Sequence, residues 1–316
     1  MTLASSGPAF EPVQSCWVCD GAELTPVHEP IFELSEYATQ DPGLAAYTGS
    51  RIALRRCTRC GFAQPDGLPA LPRYFDRMYD QRWSAEWIRG EFEGTAKDYI
   101  FHGILDALGR RLPGTRRRLL DVGAHAGRFV SLARDAGWAA EGLELNPQTA
   151  AYAAERTGAS IRQLNVHDVD VTSAAYDAIT VTDVLEHIPD PVRVLVRVAA
   201  LLAPGGWAAV KVPSGHSQLL KETWRGRLRS GYRPTVADNL VHVSHFSPDA
   251  LRRAMARAGF SDVSVEPGAP ELPPAPGLRG ALARARLLAL YHAARMLPGG
   301  VRTPIAFNLQ AYGRRA

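Results

Sequence analysis

The chain has 316 residues, 46% hydrophobic and 22% charged, which suits a globular protein with a large core and more than one average domain. Its formal charge of +4 would suit a polyanion binder, but only Lys97, Lys211 and Lys221 are lysines, and the arginines fall in short clusters such as Arg116-Arg117-Arg118. That pattern reads as GC-rich coding in solvated flanks, so no nucleic-acid partner is expected. No apolar run reaches 18 residues and no apolar segment opens the chain, so no membrane span and no secretory leader are expected, and the cytoplasm is the default compartment.

Residues 1–75 hold all four cysteines, as Cys16-x-x-Cys19 and Cys57-x-x-Cys60. Each knuckle aims two sulfurs at one point, and two knuckles complete the tetrahedron that zinc prefers. Redox thiols or unrelated surface pairs are the alternative. Four thiolates close the coordination shell, so the expected zinc is structural. Residues 76–113 are rich in aromatics, among them Tyr79, Trp83 and Trp87, and end in a helix over Ile100–Leu112. They read as a linker that either covers the acceptor as a lid or packs the cysteine module on the core.

Residues 114–316 alternate strands and helices, which indicates an α/β sheet. Arg118–Val122 is a strand, Gly127–Ala136 a helix, and Ala139–Leu145 a second strand. Pro147–Thr157 is a helix with Pro in its first turn and Gly158 past its end. Strands follow at Ile161–Leu164, Ala178–Thr182 and Trp207–Val212, with a helix over Pro191–Leu202. Ser247-Pro248-Asp249 caps a further helix that Gly259 ends. The last strands are Ser261–Glu266 and Ile305–Ala311, with a helix near Leu278–Leu297 between them.

Chemistry concentrates in Leu119-Leu120-Asp121-Val122-Gly123-Ala124-His125-Ala126-Gly127, a strand running through a glycine turn into a helix. The two glycines let the backbone approach a small molecule. A dinucleotide site would need glycine where His125 and Arg128 stand, so that reading fails. A sulfonium cofactor needs no pyrophosphate cradle, and the carboxylate of Asp121 suits its positive charge. Glu144, ending the second strand, can accept both ribose hydroxyls or else cap the helix at Pro147.

These segments, together with Tyr176-Asp177-Ala178-Ile179-Thr180, Asp183-Val184-Leu185-Glu186-His187-Ile188-Pro189-Asp190-Pro191 and Leu202-Ala203-Pro204-Gly205-Gly206, resemble class I S-adenosylmethionine-dependent methyltransferases over roughly residues 98–265. The resemblance implies a Rossmann-like sheet of seven strands whose last strand is antiparallel. It implies cofactor contacts from Asp121, Gly123, Gly127 and Glu144, with the neighbouring His125, Leu145 and Asp183, and an adenine contact within Asn165, Val166, His167 and Asp168. His125 stands at the family's usual middle glycine. The cysteine module placed ahead of such a core resembles methyltransferases of sugar and specialised-metabolite pathways.

Methyl transfer from a sulfonium is an in-line displacement in which the acceptor must lose a proton. His187, helped by Glu186, follows the fourth strand at the edge where ligands bind, and is the expected base. Capping or orienting a loop is the alternative. His242 and His245 are rival bases or satisfied loop histidines, Tyr79 is a weaker rival, and Lys211 reads as a surface residue. The expected reaction is methylation of a small-molecule acceptor at oxygen or carbon, first a sugar or nucleotide-sugar, second a phenolic, quinone or polyketide compound. A homodimer is open. The competing class is a non-catalytic module that binds S-adenosylmethionine or a partner.

Overall fold

A computed structural model of the chain describes residues 8–80, 84–114, 117–171, 176–228, 240–272 and 274–316. Seven strands form one sheet: β1 (Arg118–Val122), β2 (Ala139–Leu143), β3 (Ile161–Arg162), β4 (Tyr176–Thr182), β5 (Leu202–Pro213), β6 (Phe260–Gly268) and β7 (Asn308–Arg315). Their order is β6-β7-β5-β4-β1-β2-β3, and β7 alone runs antiparallel to its neighbours. Leu119, Leu120, Ile179, Val181, Ala208 and Val210 are fully buried, because helices cover both faces of the sheet. This is the Rossmann-like sheet the sequence announces. Strand order reverses between β1 and β4, which opens a crevice at their carboxyl ends.

Local chemistry fixes the connections. The helix Pro147–Thr157 starts where the Asn146 side chain accepts from Thr149 N at 3.0 Å, and stops at Gly158 with φ +61°. The helix Pro248–Arg257 is capped in the same way by Ser247.

Residues 76–113 are more than a linker. After the short helix Tyr74–Asp80 come Ala85–Glu93 and Asp98–Arg111. The last buries Ile100, Ile104 and Leu108 in one cluster with Leu119, Phe129 and Ala178. Arg128 pairs with Asp98 through two bonds of 2.9 and 2.5 Å, tying this helix to the turn that follows the glycine loop. A helix over Gly215–Leu228 lies where no element was expected, and β7 begins at Asn308 rather than Ile305.

Ahead of this core, Leu24–His28, Leu54–Cys57 and Ala63–Pro65 form a three-stranded antiparallel sheet with Leu54–Cys57 in the middle. It docks on the helix Pro248–Arg257 and the segment before it. Phe62 meets Phe246 edge-on at 5.0 Å, Ser247 Oγ donates to Cys60 O at 2.6 Å, and Arg257 donates to Val18 O at 2.6 Å. Cys16, Val18 and Phe62 therefore belong to the same buried cluster as Leu251 and Met255.

Candidate active site

The glycine loop leaves β1 and needs its glycines. Gly123 has φ +79°, and a Cβ there would stand 2.4 Å from Val184 Cγ2. Gly127 has φ +87°, and its Cβ would meet Ala153 and Thr157 at 3.0 and 2.9 Å. His125 also takes a left-handed backbone at φ +50°, so the chain bends there as a glycine would. Its N–H donates to Glu144 Oε2 at 2.8 Å, and Asn146 N donates to Glu144 Oε1 at 2.9 Å. These two bonds orient the Glu144 carboxylate at the end of β2.

Asp121 is 3% exposed and accepts from Thr180 Oγ1 at 2.6 Å. Burial pushes its pKa up to about 7 against that hydrogen bond, with Glu144 adding to the rise. Trp87 packs edge-on against His125 at 4.9 Å, so this aromatic covers the glycine loop. Past β3, Asn165 accepts from His167 N at 3.0 Å and starts the short turn Val166–Asp168, with Val166 buried and Asp168 exposed. Leu145 stands half out in solvent beside Glu144.

A second cluster lies at the carboxyl ends of β4 and β5. It opens on a cleft of about 820 Å³ whose walls include Lys97, Asp183, Glu186, His187, Lys211 and His242. Lys211 is 2% exposed, which corrects its reading as a surface residue. Its Nζ donates to Asp183, and Lys97 Nζ stands 3.4 Å from the same carboxylate. Burial works to raise the pKa of Asp183, but Lys211 and Lys97 outweigh it and hold it at about 2. Glu186 is buried too, and there Lys211 and Lys97 do not outweigh burial. Burial first, then Asp183, push its pKa up to about 8. Its backbone carbonyl accepts from Val243 N and Ser244 N at 2.8 and 3.0 Å, which fastens residues 243–244 to the exit of β4.

That fastening brings His242 to His187, with ring centroids 4.7 Å apart. His187 Nδ1 lies 2.7 Å from Val241 O. An N–H on Nδ1 suits that carbonyl and makes Nε2 the lone-pair nitrogen, 3.9 Å from Glu186 Oε1. Burial, then His187 and His245, keep His242 well below the usual histidine pKa.

The third cluster is the cysteines. Cys16 Sγ and Cys60 Sγ are 3.6 Å apart, Cys19 Sγ and Cys57 Sγ 3.5 Å, and none is in a disulfide. Four thiolates about 2.3 Å from one zinc ion would stand about 3.8 Å from each other, so the cluster has the size zinc requires. The hydrogen bond with Cys60 lowers the Cys16 pKa against the effect of burial.

The profile of a methyltransferase-domain family matches residues 92–265, more than half of the chain. The chain belongs to this family. The chain is 34% identical over 97 residues to a ubiquinone biosynthesis O-methyltransferase of Bordetella avium, covering 29% of this chain and 40% of that protein. It is 32% identical over 150 residues to a protein of the same name from Vibrio parahaemolyticus, covering 44% and 60%. The chain thus spans under two thirds of these relatives. A solved putative methyltransferase, in complex with the Haloferax volcanii Trm112 methyltransferase activator, aligns with a TM-score of 0.50 at 19% identity. It covers 73% of this chain and 96% of that one. The plantazolicin methyltransferase BpumL, solved with S-adenosylhomocysteine, gives 0.50 at 12% identity over 77% and 94%. Family and fold together mark residues 92–265 as a methyltransferase domain on a Rossmann-like sheet.

Of the expected site residues, the fold gathers Glu186, His187, His242 and Asp183 in the cleft and Asp121, Gly123, His125, Gly127 and Glu144 around the glycine loop. His245 goes elsewhere. It is 2% exposed, its backbone bridges to Ala63 of the N-terminal sheet, and burial lowers its pKa to about 4. It joins the two parts of the chain rather than facing the cleft. The Tyr79 side chain and Trp83 lie outside the described residues. Reading the sequence alone missed Lys97, Lys211 and Thr180. The signal for the first two was their rarity: all three lysines of the chain line this one cleft.

Proposed function

We propose that the protein moves a methyl group from S-adenosylmethionine to a hydroxyl of a small acceptor seated in the cleft. The observation that carries this reading is the placement of Lys97, Lys211 and Lys221 around the Glu186–His187–His242 cluster. These lysines, two of them paired with Asp183, share negative charge growing on an acceptor oxygen, and the cluster relieves that oxygen of its proton. The C–S bond of the sulfonium then breaks as the new C–O bond forms. In this reading Asp121 faces the positive end of the cofactor, Glu144 takes the ribose hydroxyls, and Asn165–Asp168 borders the adenine, with Gly123, His125, Gly127, Leu145 and Asp183 completing the site. Residues 1–75 then form a unit built around structural zinc on Cys16, Cys19, Cys57 and Cys60, fastened to the core through His245, Ser247 and Arg257.

Two acceptor classes compete. The cysteine module ahead of the core favours a sugar or nucleotide-sugar. The lysine-lined cleft and the names of the relatives favour a phenolic hydroxyl, because phenols ionise near pH 10 and gain most from a nearby ammonium. We take the phenolic class as first choice. Transfer of label from methyl-labelled S-adenosylmethionine to a panel of catechols, other phenols and nucleotide-sugars tests this. Labelled aryl methyl ethers support the reading, and label only in sugars overturns the acceptor choice.

The cofactor assignment makes a pH prediction. A bound sulfonium favours the ionised form of Asp121, whose pKa sits at about 7 in the unliganded protein. Binding at lower pH must first remove that proton, so affinity should rise as pH increases through 7 and level off above it. Calorimetry from pH 6 to pH 8 should show this rise, and Asp121→Asn should flatten it.

A further inference from the structure

We propose that Glu186, His187 and His242 form a binding site for one divalent transition-metal ion, open on the cleft side, in addition to the four-cysteine site. Three ligand atoms, one from each residue, lie within 4.8 Å of one another. Two of the three residues hold buried polar atoms with nothing to bond. Glu186 Oε2 and His242 Nδ1 have no hydrogen-bond partner among the described residues. A buried carboxylate oxygen and a buried imidazole nitrogen left unpaired are costly, and a shared cation would satisfy both at once.

The third ligand is oriented in the way metal-binding histidines usually are. His187 Nδ1 faces the Val241 carbonyl at 2.7 Å, which directs Nε2 towards Glu186. Two imidazoles and one carboxylate leave coordination positions open for a substrate oxygen. Ligand pairs around such an ion stand roughly 3–3.5 Å apart, so the cluster needs only a small closing rotation about side-chain bonds. Of the nearby charges, Asp183 is already neutralised by Lys211 and Lys97. The ion's charge is therefore met by Glu186 and by an acceptor oxygen that has lost its proton.

The ion's catalytic role rests on the methyl-transfer reading above; its binding does not. In that role an acceptor hydroxyl coordinates the ion, its O–H bond breaks, and the proton leaves to solvent through the cleft. The oxygen's electron pair takes the methyl group, and S-adenosylhomocysteine departs with the electrons of the C–S bond. His187 then serves as a ligand.

The experiment uses the full chain with its cysteine-bound zinc intact, titrated with Co²⁺ in the absence of acceptor. Cobalt on histidine and carboxylate gives weak visible bands, whereas cobalt on thiolates adds strong charge-transfer absorption. One equivalent of cobalt bound with weak bands alone is expected. His242→Asn and Glu186→Gln should each weaken it at least tenfold, and His187→Gln provides a third variant if either fails to fold. S-adenosylhomocysteine binding by each variant reports folding. No saturable cobalt binding, thiolate bands alone, or binding unchanged in folded variants would overturn the site. Wild-type protein that binds cobalt but never S-adenosylhomocysteine would instead strike the methyl-transfer reading and leave the metal site standing.

Discussion

Cys57→Ser is expected to release the zinc and to destabilise the methyltransferase core along with the N-terminal sheet. Structural zinc sites contribute about 10–16 kcal/mol of apparent binding free energy, which is also folding free energy. Cys57 ends the middle strand of the three-stranded sheet and is 1% exposed, so serine there leaves a buried hydroxyl and three thiols in its place. The loss cannot stay local. Cys60 O holds the capping Ser247, Arg257 holds Val18, and Phe62 packs on Phe246. Removing the ion loosens the chain that these groups grip at the helix Pro248–Arg257. Metal analysis should fall from one zinc per chain to none, and thermal unfolding should start well below that of the wild type. A variant that keeps its zinc, or loses it with no change in melting, contradicts this account.

His187→Ala should slow turnover by about 10²–10⁴-fold while S-adenosylmethionine binding stays nearly constant. The reason is position. His187 lies at the carboxyl end of β4, beside Glu186 and His242, and the glycine loop that would hold the cofactor is a separate cluster off β1. Its loss therefore removes help in ionising the acceptor, by direct proton transfer or through a bound cation, without touching the cofactor's contacts. Single-turnover kinetics with saturating cofactor separates the two effects. A variant that turns over normally moves the chemistry away from this cluster, and a variant that loses cofactor affinity shows that His187 shapes the cofactor site instead.

The sheet was legible because its signals are local. Strands buried on both faces read as apolar runs, and Asn146-Pro147 with Gly158 marks one helix from its own residues. The glycine loop was legible for the same reason: sterics at Gly123 and Gly127 leave a trace in the residue type. His125 was the misleading position, a left-handed residue that is not glycine. What the sequence hid depends on distant neighbours. Ser247 and Cys60 are 187 residues apart, and nothing near either announces the bond. Lys211 looked like a surface residue because only the fold shows Asp183 beneath it. His242 and His245 looked like rival bases or satisfied loop histidines. The structure leaves their rings 6.5 Å apart but gives His242 to Glu186 and His245 to Ala63. The rarity of lysine was visible from the start, but it gains meaning only when all three meet in one cleft.

Calorimetric titration of S-adenosylhomocysteine into wild-type protein and Glu144→Ala tests the central claim most directly. Glu144 is held by two backbone N–H groups in a position to receive hydroxyls, so its side chain can go without disturbing β2. The account predicts one site per chain in the wild type and a loss of about 1–3 kcal/mol of binding in the variant, the cost of hydrogen bonds to a charged acceptor. Equal affinity in the two proteins, or no saturable binding in the wild type, would contradict it.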